Sequence, residues 1–151
     1  MFPDNRHVAL KRLHGLKHKL TKLGKFDEYA KGMQNFIDNG YVEEVPEGEL
    51  DLNDGSVFFM PHHGVSTEAK PKLRICFDAL TEYDGFSVNN QTLQGPDLIN
   101  PLRGVLLRFM QYEHAFQGDI KQMYLQCRIP ENERNTLRFY WYKDGLAIFG
   151  V

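Results

Sequence analysis

The sequence predicts an α+β domain in which helices come first and a mostly antiparallel sheet follows. Two observations lead to this prediction: apolar residues recur at helical spacing near the N-terminus, and short apolar or alternating runs bounded by turns come after them. The chain shows no internal repeat and no linker that would divide it. With 151 residues, 42% of them hydrophobic, it can bury the core of one ordinary domain.

The spacing of apolar residues in the first 40 positions predicts two helices. In residues 5–23, four leucines separated by three or four positions would line one helix face, and Gly24 suits the position after the last turn. These leucines are Leu13, Leu16, Leu20 and Leu23. A second helix is expected over residues 27–38, where an Asn-Gly pair ends it. The side chains that it would bury are Tyr29, Met33, Phe36 and Ile37.

Six short runs in the rest of the chain are candidates for strands. They are residues 41–45, 57–60, 73–77, 114–119, 137–142 and 146–149. Residues 63–71 would form a loop or hairpin tip, and residues 143–145 would form the turn before the last strand. A third helix is expected over residues 97–110, with Asp97 at its start and Pro101 in its first turn.

The net charge of −2 conceals an uneven distribution. Residues 1–25 hold seven Lys or Arg and one acid, a local charge of +6, which leaves −8 for residues 26–151. Such a basic segment attracts phosphate backbones, and the alternative is an ordinary solvated helix face. The candidate nucleic-acid contacts are Arg12, Lys17, Lys19 and Lys22.

Composition argues against membrane and secreted classes. No stretch approaches the ~20 apolar residues of a membrane-spanning helix, and the first residues lack the apolar region of a secretory signal. The two cysteines cannot build a disulfide framework. We therefore expect no membrane partner, no secretion, and a reduced intracellular location, in the cytoplasm or the nucleus.

Two clusters could carry chemistry. Asp119 ends an apolar run and would project its carboxylate from a sheet edge, where carboxylates can hold the divalent ions of nucleotidyl transfer. Tyr124 follows five residues later. On a strand, Lys72 and Arg74 share one face and could neutralise a triphosphate. By themselves these patterns are weak, because a capping aspartate and a half-exposed strand with ordinary cations would look the same.

Six segments between residues 39 and 124 carry, in order, a family resemblance that covers essentially the whole chain. They are Asn-Gly-Tyr-Val-Glu-Glu-Val-Pro (39–46), Phe-Met-Pro-His-His-Gly-Val (59–65), Lys-Leu-Arg-Ile-Cys-Phe-Asp-Ala (72–79), Leu-Gln-Gly-Pro-Asp-Leu (93–98), Leu-Leu-Arg-Phe (106–109) and Gly-Asp-Ile-Lys-Gln-Met-Tyr (118–124). The chain resembles the N-terminal part of the reverse transcriptase domain of Pao/BEL-type LTR retrotransposons. The Pro-His-His and Lys-Leu-Arg-x-x-Phe-Asp-Ala elements are the most specific.

This resemblance implies the fingers and the first part of the palm of a right-hand polymerase. It divides the chain into a basic helical segment over residues 1–40, a fingers-like region over 41–110 and the start of the palm over 111–151. The implied activity is templated DNA synthesis from dNTPs and Mg²⁺ on an RNA or DNA template-primer. The implied neighbours in the polyprotein are the rest of the palm, the thumb and RNase H.

The resemblance also implies roles for individual residues. Asp119 corresponds to the first catalytic aspartate, a ligand of both Mg²⁺ ions, with the backbone of Ile120 beside the metal and the triphosphate. Tyr124 corresponds to the aromatic residue that excludes a 2′-hydroxyl, and Arg74 to the arginine that stacks on the incoming base. The γ-phosphate lysine of related polymerases is either unfilled or replaced by Lys70. The expected dNTP contacts are therefore Arg74, Lys72, Lys70, Ile120 and Tyr124.

One departure bears on activity. The 151 residues contain no adjacent pair of aspartates, whereas the family places such a pair in a later turn of the palm. One carboxylate does not organise two Mg²⁺ ions, so we expect the 151-residue chain alone to be inactive as a polymerase. The alternatives are a non-catalytic retroelement remnant that binds nucleic acid, and a fragment that folds poorly because a sheet edge is left without its partners.

Overall fold

The computed structural model describes residues 1–67, 69–143 and 145–150, with the side chains of Lys70 and Pro71 outside the description. The helices are α1 (Arg6–Lys22), α2 (Phe26–Asp38), α3 (Val88–Gln91) and α4 (Leu102–Phe109). The strands are β1 (Glu43–Glu44), β2 (His62–Thr67), β3 (Lys70–Phe77), β4 (Arg138–Tyr142) and β5 (Leu146–Gly150). Short 3-10 turns cover Glu47–Glu49, Met123–Gln126 and Arg134–Leu137.

The strands form two antiparallel sheets, which confirms the predicted α+β class. One sheet has three strands in the order β1-β5-β4, and the other is the β2–β3 hairpin. In the first, Phe139 pairs with Phe149 and Trp141 with Ala147. In the second, His62 pairs with Phe77. The N-terminal helices cover these sheets, as expected.

The first helix begins and ends close to the predicted positions. Asn5 occupies the N-cap, and Gly24 follows the helix with a φ of +63°, a conformation that glycine adopts without strain. Leu13 and Leu20 are buried. Leu23 was expected on the same apolar face, but it is exposed because the helix ends at Lys22.

Aromatic side chains dominate the core between α1, α2 and the two sheets. Tyr29 and Met33 of α2 are buried in it, and Phe36 and Ile37 pack partly buried against it, as predicted. Phe59 stacks on Tyr140 with ring centroids 4.6 Å apart. Such ring pairs add stabilisation beyond the area that they remove from water.

Some predicted boundaries of strands and turns need adjustment in both sheets. The expected strand over residues 41–45 is reduced to Glu43–Glu44, although the Val45 N–H still donates to the Ile148 carbonyl at 2.9 Å. Residues 63–71, predicted as a loop or a hairpin tip, contain the tip of the β2–β3 hairpin, and strand pairing extends to the Thr67–Lys70 pair. In the turn predicted over residues 143–145, Asp144 lies outside the described residues.

Residues 93–124 form an exposed arm, where the predicted strand is wrong and the predicted helix is shorter than expected. The expected strand over residues 114–119 has no regular structure, because none of the described strands pairs with it. The expected helix over 97–110 is shortened to α4, with Pro101 at the N-cap rather than inside the first turn. The apolar residues that predicted this helix are all exposed: Leu98, Leu102, Val105, Leu106 and Phe109.

Candidate functional site

The β2–β3 hairpin presents the two cations predicted to meet a nucleotide. Lys72 and Arg74 are exposed on one face of β3, whereas Leu73, Ile75 and Phe77 on the other face pack against the core. The alternation predicted from the sequence is therefore confirmed. The side chain of Lys70, the third predicted cation, lies outside the described part of the chain.

Helix α2 and its N-cap residue Lys25 hold this hairpin in place. The Glu28 carboxylate accepts the Leu73 backbone N–H at 3.0 Å, and the Lys25 ammonium donates to the Ser66 hydroxyl at 3.1 Å. Gly64 lies so close to the core that a Cβ placed there would meet Leu73 Cδ1 at 2.9 Å and the Tyr29 ring at 3.3 Å. Arg74 is thus carried by a strand that is fixed at both its backbone and its apolar face.

Asp78, at the end of β3, has a structural partner. Its carboxylate accepts a hydrogen bond from the Arg12 guanidinium at 3.0 Å and another from the Thr81 hydroxyl at 2.6 Å. Partial burial raises the pKa of Asp78, but the hydrogen bonds from Thr81 and Arg12 and the Arg12 charge outweigh it, so the pKa lies below its ordinary value. This pair joins α1 to the hairpin, so Asp78 has a structural role.

The predicted catalytic segment lies on the exposed arm. Asp119 and Ile120 are both exposed, and Gln122 then turns the chain with a φ of +53° into the 3-10 turn Met123–Gln126. The Tyr124 side chain is 85% exposed. A ring with that exposure is not packed against another side chain, so Tyr124 does not cover Asp119 in this structure.

In the described residues, the side chains expected to contact the nucleotide form no bond with those expected to lie beside the metal. Within residues 1–67, 69–143 and 145–150, no hydrogen bond or ion pair links Arg74 or Lys72 to Asp119 or Tyr124. Just after the arm, the Gln126 amide donates to the Tyr41 hydroxyl at 3.2 Å. The roles proposed for these residues therefore remain predictions.

The residues present do not fit a two-magnesium centre by themselves. Mg²⁺ takes oxygen ligands in an octahedral shell, and two ions held together need several anionic groups. Asp119 offers one carboxylate and Ile120 one backbone carbonyl. In the described part of the chain, no three His, Cys, Asp or Glu side chains lie together in a metal-binding group.

The cations predicted to contact nucleic acid differ in their surroundings. Arg12 is paired with Asp78, and the Lys17 ammonium lies over the Tyr142 ring, 4.3 Å from its centroid. Lys19 and Lys22 are exposed. The aromatic residues Tyr140 and Trp141 of β4 are buried in the core, so they offer no stacking surface for bases.

One buried polar pair was not identified as a site from the sequence. The Tyr29 hydroxyl lies 2.6 Å from His62 Nδ1, and His62 Nε2 lies 2.9 Å from the Tyr140 carbonyl oxygen. A carbonyl oxygen only accepts, so Nε2 carries the proton and Nδ1 accepts from Tyr29. Burial lowers the pKa of His62 to about 4, outweighing the opposite effect of the Tyr140 carbonyl. In the sequence, the only sign of this site was the adjacent pair His62-His63. Neighbouring residues on a strand point to opposite faces, so one of the two imidazoles is expected inside the protein.

Comparisons with protein-family models, with curated proteins and with solved structures each returned no match for this chain. Among the helices of the described residues, none combines the length and the apolar character needed to cross a bilayer. The family resemblance therefore depends on the sequence motifs.

Proposed function

We propose that this chain is the fingers and N-terminal palm of an RNA-directed DNA polymerase of the Pao/BEL retrotransposon type. In this proposal the β2–β3 hairpin faces the incoming dNTP, and the arm brings Asp119 to the catalytic centre. Template-primer and the remaining palm, thumb and RNase H segments are its partners. Mg²⁺ belongs to the proposal only for the assembled centre, because one carboxylate does not hold two ions.

The strongest support for the proposal is that the arm is exposed and has no packing partner among the described residues. Residues 114–119 end on the exposed carboxylate of Asp119 and have no strand partner among the described residues. The adjacent helix α4 carries apolar side chains, and every one of them meets solvent. Large exposed apolar surface of this kind marks a place where another structure packs. An incomplete palm would have this appearance around its first aspartate.

The hairpin supports the nucleotide side of the proposal. Arg74 carries a planar, permanently charged guanidinium that can stack on a base and donate to phosphate oxygens. The strand beneath it is held by Glu28 and by the core. Substrate-positioning residues need such rigid support, because small misplacements lower rates strongly.

The test is to translate the DNA that follows codon 151 and assay the longer polypeptide for primer extension on an RNA template with dNTPs. We expect an in-frame Tyr-x-Asp-Asp-like turn within about 100 residues and activity of the longer polypeptide, whereas residues 1–151 alone extend nothing. In the longer polypeptide, Asp119→Asn should lower kcat by about a thousandfold or more, because it removes an anionic ligand of the reacting centre.

Glu113→Gln is the matched control, since Glu113 is another exposed acid of the same arm. It should leave extension unchanged. Arg74→Ala should raise KM for dNTPs more than it lowers kcat. A continuing frame without paired acids, or full activity of the Asp119→Asn protein, would rule the assignment out.

A further inference from the structure

The outward side of α1 forms a stripe of cationic and imidazole side chains. Lys11, His14, His18 and Lys22 follow one another at steps of three, four and four residues, so they lie along one side of the helix. All four are exposed. The stripe, called here the basic face, extends about 16 Å along the helix axis.

The charge of the basic face is not neutralised within the described chain. No acidic residue occurs between Asp4 and Asp27. The ion pairs of the described residues involve Arg12, Arg134, Arg138 and Lys143; neither Lys11 nor Lys22 takes part in one. Two other cations of α1 are committed to the protein itself: Arg6 donates to the Leu52 carbonyl at 2.6 Å, and Arg12 pairs with Asp78.

We propose that the basic face binds the phosphate backbone of a nucleic acid strand, with Lys11 and Lys22 contacting phosphates and His14 and His18 donating hydrogen bonds between them. Lysines contribute most of the sequence-independent affinity of such complexes, because each phosphate contact releases condensed counterions. This surface is formed by α1 alone and includes no residue of the Arg74 hairpin or of the exposed arm. The inference goes beyond the polymerase assignment and does not require it.

An anionic membrane would offer phosphates too, but α1 is built differently from a membrane-surface helix. Such a helix inserts an apolar face among the lipids. In α1 that face is occupied, since Ala9, Leu13 and Leu20 are buried in the core. Every exposed residue of α1 is polar or glycine. The basic face can therefore bind phosphates at its surface without inserting side chains.

The experiment measures binding of the whole chain to a fluorescent single-stranded RNA of about 20 nucleotides. Anisotropy is recorded in EDTA, without dNTPs, at salt from about 50 to 200 mM. The variant K11Q/K22Q is compared with K31Q/R103Q, which removes two exposed cations from α2 and α4. Thermal melts check that both variants fold like the parent chain.

We expect K11Q/K22Q to bind about tenfold more weakly at the lowest salt, with a salt slope shallower by about 1.4, because each lost single-strand phosphate contact removes about 0.7. K31Q/R103Q should bind like the parent chain. Two results would overturn the proposal: no binding by the parent chain at low salt, or equal losses in both variants. Because no polymerisation is measured, failure here leaves the Asp119 test unaffected, and the reverse holds.

Discussion

His62 shows how a polar side chain can be accommodated at the centre of an aromatic core. Its ring lies against Phe77, Phe139 and Trp141, while both nitrogens have hydrogen-bond partners. A neutral imidazole satisfies both partners with one proton. A second proton would require Tyr29 to accept rather than donate, and it would place a charge where water is excluded.

Stability should therefore decrease in mild acid. The folded-state pKa of about 4 lies below the value of about 6.5 for an unfolded histidine, so the unfolded chain binds more protons between these values. The contribution of His62 is present above pH ~6.5 and is lost as pH falls toward 4. We expect the free energy of unfolding in urea to be about 2 kcal/mol lower at pH ~5 than at pH ~7.

The control for this prediction is His63→Asn, which removes the exposed neighbour of His62. It should retain the same pH dependence. A free energy of unfolding that stays constant across this interval would show that His62 is not held neutral in the folded protein.

Asn5 joins the start of α1 to the segment before β2. Its amide donates to the Phe59 carbonyl at 2.8 Å, and its side-chain oxygen accepts the Phe59 N–H at 2.9 Å. Asn5→Ala leaves two buried backbone groups unpaired, so we expect a loss of about 3 kcal/mol in urea unfolding. Asn53→Ala, at an exposed position, should change stability by less than about 0.5 kcal/mol. Equal effects would contradict the role given to Asn5.

At the scale of elements, α1 and α4 have similar apolar spacing but very different packing. Leu20 in α1 is 4% exposed, whereas Leu106 in α4 is 50% exposed. Leu20→Ala should therefore lower the free energy of unfolding by about 2–5 kcal/mol, because it opens a cavity in the core. Leu106→Ala should stay within about 0.5 kcal/mol of the parent chain. Comparable losses in urea titrations would mean that α4 packs more tightly than described.

These elements also show what the sequence can predict. Alternation in β3 and the aromatic run of β4 were sufficient to predict strands, because each pairs with a neighbour close along the chain. The run over residues 114–119 has a comparable pattern, yet it forms no strand. A strand exists only with a partner, and composition cannot tell whether the partner lies in the same chain.

For the whole molecule, the body and the exposed arm should differ in protease resistance. The arm has mostly irregular structure and exposed side chains, whereas Lys17 and Lys22 belong to the long helix α1. Limited trypsin digestion should therefore cut first at Arg103, Arg108 or Lys121. Mass spectrometry of the early fragments would check this, and simultaneous cleavage within α1 would contradict it.

The candidate site could be predicted only in part for a related reason. Residue patterns placed Arg74 on the exposed face of a strand, and its position depends on contacts within the hairpin and with α2. The surroundings of Asp119 depend on long-range packing, which the motifs do not encode. The motifs therefore indicated which side chains to examine, but not how far apart they lie.

Both borders of the three-stranded sheet are already occupied or protected. On one side β1 is two residues long, carries charged Glu43 and Glu44, and is soon followed by Pro46. On the other side the Met60 N–H donates to the Arg138 carbonyl at 2.7 Å. In the proposed polymerase, the strand partner of residues 114–119 would therefore belong to a separate sheet and would not lengthen this one.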